Sequence, residues 1–111
     1  MSIDPTEAIV VFMTAADGAE AQALAELLIE KRLAACVQIL PAIESVYRWQ
    51  GRIERQPEVL LLAKTTRAKF EELEREVRAV HSYETPEIVA VPIITGSVPY
   101  LQWLGDSLKE S

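Results

Sequence analysis

The feature that most constrains this 111-residue chain is a β-ribbon too long for the body it must belong to. From Ala35 to Thr65 the sequence keeps strand patterning throughout, with Gln50-Gly51 supplying a tight reversal in the middle. On the first arm Val37, Ile39, Ile43, Tyr47 and Trp49 share one parity, which predicts one side of a strand. On the return arm Ile53 leads through Pro57 into Val59-Leu60-Leu61-Leu62-Ala63, apolar at both parities, as a central strand is. An arm of about fourteen residues reaches about 45 Å at ~3.3 Å per residue. A compact chain of this length has a radius of gyration near 13 Å, hence a diameter of about 35 Å.

The rest of the chain supplies a body for this ribbon. Ala8 to Met13 is an apolar run with β-branched Ile9, Val10 and Val11, and reads as a buried strand. Asp17-Gly18-Ala19-Glu20 has capping-box spacing and opens a helix with Ala21, Leu24, Leu27 and Leu28 inward. Lys31 and Arg32 follow at its C-terminal end, where cations complement the macrodipole. After the ribbon, Thr65 or Thr66 caps a second helix with Phe70, Leu73, Val77 and Val80 as its inner stripe. Glu71–Arg75 and Glu74–Arg78 are its outward i,i+4 pairs. Ile88 to Ile94 forms a fourth strand, and Ser97 caps a last helix through Leu101, Leu104 and Leu108.

The order is βαββαβ plus a C-terminal helix, in a single domain over residues 1–111. Right-handed crossovers make this an α+β, ferredoxin-like sheet with strand order 4-1-3-2. Pro41 and Pro92 then fall on the two edge strands, where a missing N–H is tolerated. The first strand is short and pairs with only half of the ribbon. The outer half carries Ile43, Val46, Tyr47, Trp49 and Ile53, too much apolar surface for water. A neighbouring copy is its expected cover, and heterologous edge contacts close naturally into a ring.

Composition removes several partners. Eleven basic against seventeen acidic residues give a net charge of −6, the wrong sign for a nucleic-acid backbone or an anionic membrane. Cys36 is the only cysteine, so no intrachain disulfide forms. The acidic start Met1-Ser2-Ile3-Asp4-Pro5-Thr6-Glu7 lacks the order of a signal peptide, and the expected compartment is the cytoplasm. Three chemistries hosted by this topology fail on residues. The central strands offer Ile9-Val10-Val11 and Val59-Leu60-Leu61-Leu62 rather than RNA-stacking aromatics. The loop after the first strand, Met13-Thr14-Ala15-Ala16-Asp17, holds neither the paired thiols of a soft-metal chaperone nor the arginine of an acylphosphatase.

Several blocks in register resemble the CutA divalent-cation-tolerance family: Leu33-Ala34-Ala35-Cys36, Tyr47-Arg48-Trp49-Gln50-Gly51 and His81-Ser82-Tyr83-Glu84-Thr85-Pro86-Glu87. Glu58-Val59-Leu60-Leu61-Leu62 and Pro99-Tyr100-Leu101-Gln102-Trp103-Leu104 belong to the same resemblance. It implies a homotrimer of ferredoxin-like subunits, a cytoplasmic place, a link to copper and other divalent ions, and no catalytic reaction. It also implies copper ligands at Met13 and His81. Val80 stands where the family has a further histidine, and Ser82 where it has proline. Thioether suits Cu(I) and imidazole also Cu(II), and two such ligands make a weak site.

From the residues themselves, Tyr47 and Trp49 read as interface anchors, and Tyr83, Glu84 and Glu87 as the lining of an intersubunit cleft. Arg52 across the turn from Trp49 suggests a cation–π contact. The alternative to metal tolerance is a PII-like trimeric signalling module binding a small anion in such clefts, or a scaffold for a partner protein. A PII-like loop is mobile, whereas Gln50-Gly51 closes a tight hairpin. Neither a Ser/His/Asp set nor a Gly-rich phosphate loop points to an enzyme.

Overall fold

A computed structural model describes residues 7–109. The N-terminal segment, apart from Glu7, lies outside the described residues. The elements run β1 (Ala8–Ala15), α1 (Gly18–Glu30), β2 (Cys36–Trp49), β3 (Arg52–Thr66), α2 (Arg67–Val80), β4 (Ile88–Pro92) and α3 (Val98–Ser107). All neighbouring strands are antiparallel in the order β2-β3-β1-β4. This is the expected sheet, with both prolines on its edge strands.

The pairing register explains the core. Ile9, Val11, Met13 and Ala15 lie opposite Thr65, Ala63, Leu61 and Val59, so one sheet face is apolar. Helix α1 lays Ala21, Leu24 and Leu28 on that face, and α2 adds Leu73 and Val77. A fully buried leucine contributes about 2 kcal/mol of transfer free energy. Leu101 and Leu104 of α3, and Leu108 at its C-cap, are buried outside this cluster.

Helix ends follow local chemistry. Asp17 caps α1 by accepting the Glu20 N–H at 2.9 Å. The helix closes in a Schellman arrangement, with Leu33 N–H to the Leu28 carbonyl and Arg32 N–H to that of Ile29. Arg32 therefore sits at φ 55°, and its guanidinium donates to the Ser107 carbonyl at the end of α3. Lys31 instead pairs with Glu76 of α2 at 2.7 Å.

Thr66 occupies the α2 cap position without a side-chain cap bond, while Thr65 is fully buried with its hydroxyl unpartnered. Glu74–Arg78 forms at 3.9 Å. Val80, expected inward, is 60% exposed because the helix ends there and His81 is already extended. Strand β4 stops at Pro92 rather than Ile94. Ile93 donates one more bond to the Ala8 carbonyl, and the chain then leaves the sheet.

The ribbon needs one correction. Leu40 faces Leu60 but Ile43 faces Glu58, so β2 carries an extra residue at a bulge over Pro41-Ala42. Val37 and Ile39 pair with Ala63 and Leu61 on the helix side. Beyond the bulge Ile43, Tyr47 and Trp49 pair with Glu58, Glu54 and Arg52 on the other side. Equal parity in the sequence therefore becomes opposite faces. The turn has φ 51° at Gln50 and 79° at Gly51, the positive pair that a two-residue hairpin requires.

The hairpin projects. The subunit measures 50 × 26 × 22 Å with a radius of gyration of 14.8 Å, above the ~13 Å of a compact chain this size. Trp49 and Ile53 at the far end are 60% and 69% exposed. The second sheet face is open except where α3 approaches β3. By register it carries Val10, Phe12, Leu40, Leu62, Val89 and Val91.

Candidate functional site

The bulge and the loop after α2 together make a cleft. Beyond the bulge, β2 turns Ser45, Tyr47 and Trp49 onto the open sheet face, at the end where β1 finishes. Helix α2 delivers residues 81–87 to the same end. The open groove between them has a volume of about 720 Å³. Tyr47, Trp49, Tyr83, Glu84 and Glu87 all line this groove of the single subunit. Among the described residues no Lys, Arg or His does.

The polar centre of the cleft is Glu58, only 9% exposed. Its two oxygens accept from the Ser45 hydroxyl at 2.6 Å and the Tyr83 hydroxyl at 2.7 Å. Burial first, then the hydrogen bond and charge of Glu58, push the Tyr83 phenol well above its ordinary range, so it remains a donor. Tyr47 donates to Gln56 across the hairpin at 2.7 Å. In the sequence Glu58 reads only as the polar lead into an apolar run. Its partners lie thirteen and twenty-five residues away, so no local spacing reveals it.

His81 anchors the loop. Its Nδ1 accepts the Tyr83 N–H at 3.0 Å, so Nε2 carries the proton and donates to the Thr14 carbonyl at 2.8 Å. The ring is wholly buried and lies 4.9 Å from that of Tyr83. Glu20 holds the next residue, accepting the Ser82 N–H at 2.7 Å and its hydroxyl at 3.0 Å, as well as the Ala16 N–H. Burial alone would raise the Glu20 carboxyl. The hydrogen bonds from Ala16 and Ser82 outweigh that and hold it below its ordinary value of 4.5.

The metal pair implied by the resemblance does not fit a metal in this arrangement. Both ring nitrogens of His81 are engaged, and Met13 is fully buried within the hydrophobic core cluster. Among the described residues no three His, Cys, Asp or Glu side chains converge to hold an ion. Cys36 is a half-buried free thiol opposite Lys64, at the other end of the sheet from the cleft. The cation–π contact expected at Arg52 is found elsewhere, with Lys64 Nζ 5.6 Å from the Tyr100 ring centroid.

Comparison with known proteins agrees with this architecture. Residues 9–107 match the family described as CutA1 divalent ion tolerance protein. A divalent-cation tolerance protein CutA from Thermus thermophilus is 47% identical over 98 residues, covering 88% of this chain and 95% of its own. The crystal structure of CutA1 from Oryza sativa superposes with a TM-score of 0.91 at 42% identity, covering 96% of this chain and 97% of that one. The periplasmic divalent cation tolerance protein CutA from Archaeoglobus fulgidus gives 0.89 at 40% identity, covering 92% of this chain and 99% of that one. No helix among the described residues is long and apolar enough to cross a membrane. With a matching family over nearly its whole length, the same sheet order and the same long hairpin, this chain belongs to the CutA1 divalent ion tolerance family.

Proposed function

We propose that the chain acts in divalent-cation tolerance as a cytoplasmic homotrimer, without catalysing a reaction. The observation that carries the assembly is the open sheet face. Val10, Phe12, Leu62, Val89 and Val91 form one apolar surface with no helix layer over it, and the hairpin overhangs beyond it. A monomer would leave both in water at a cost of about 25 cal/mol per Å². Three copies packing these faces around one axis cover them and give each hairpin a neighbour to lie along.

Copper or another divalent cation is proposed as a weakly held, exchangeable ligand. Strong binding at His81 would require it to give up a hydrogen bond to the backbone. The anion that a PII-like module would take finds no cationic side chain lining the cleft among the described residues.

Light scattering after gel filtration tests the assembly. The expected mass is three times the 12.4 kDa subunit, and Leu62→Glu, which places a carboxylate on the open face, should return it to one. A wild-type protein eluting as a single subunit at micromolar concentration refutes the reading. Calorimetric titration with Cu(II) and Zn(II), repeated on His81→Ala, tests the ion: the expected result is weak binding that the variant leaves unchanged. Cell fractionation checks the compartment.

A further inference from the structure

We draw no further inference here: the strongest candidate, the acidic groove between the long hairpin and the loop after α2, belongs to the site already described, has both oxygens of its buried Glu58 taken by Ser45 and Tyr83, and opens on a face where nothing in the structure shows what covers it.

Discussion

Replacing Glu20 tests whether the cleft loop is held from outside the cleft. The carboxylate accepts three bonds, from Ala16 N–H at 2.9 Å, Ser82 N–H at 2.7 Å and Ser82 Oγ–H at 3.0 Å, and its side chain is 15% exposed. Hydrogen bonds to a charged acceptor each contribute about 1.5–3 kcal/mol when buried. Ala16 and Ser82 are exposed and can turn to water, so each bond counts for less than that, about 1 kcal/mol, and Glu20→Ala should cost about 2–3 kcal/mol in all. Glu20→Gln keeps one acceptor but can place an amide N–H against Ser82, and should cost about 1–2 kcal/mol. The pH dependence identifies the charge. The carboxyl is held below 4.5 in the folded state, so its contribution is complete above that pH and disappears as pH falls through the folded value. Guanidinium denaturation at one fixed protein concentration should show the full gap between wild type and Glu20→Gln at neutral pH. The gap should narrow in acid. A gap of the same size well below pH 4.5 would refute the claim that an ionised Glu20 holds the loop.

Three further substitutions probe backbone and core. Thr65→Val removes a fully buried, unpartnered hydroxyl at nearly constant volume and should raise stability by about 1 kcal/mol. A lower denaturation midpoint would mean that the hydroxyl has a partner. Arg32→Gly relieves the φ of 55° but loses the bond to the Ser107 carbonyl, so its stability should stay within about 0.5 kcal/mol of wild type. Arg32→Ala loses the bond and keeps the strain, and should fall by about 1–2 kcal/mol. The order of the two midpoints is the check. Gln50→Asn suits the positive φ at the hairpin tip and should gain about 0.5 kcal/mol, seen as a higher melting temperature.

What the sequence makes legible is set by short-range physics. The change from strand to helical periodicity, the Asp17 cap and the two edge prolines specify the element order and the sheet. The Gln50-Gly51 turn and the length of the arms specify the overhang. Faces are less legible, because one extra residue inverts them. In the sequence Pro41 marks an edge, but proline in a strand also marks bulges, and the bulge lies at that residue. His81 shows a second limit. Its residue type suits a metal ligand, but Thr14, sixty-seven residues away, and the Tyr83 N–H occupy both nitrogens.

The bulge is also what gives the cleft its chemistry. Without it, Ser45, Tyr47 and Trp49 would continue the side of Val37 and Ile39 and point toward the helices, where two aromatic rings beyond the core would meet only solvent. With it, they join the face of Glu58, and Ser45 comes within hydrogen-bond distance of that carboxylate. The same displacement removes part of the hairpin's apolar surface from the helix layer and adds it to the open sheet face. One inserted residue thus serves both the surface proposed for assembly and the Ser45–Glu58–Tyr83 bonds at the centre of the cleft.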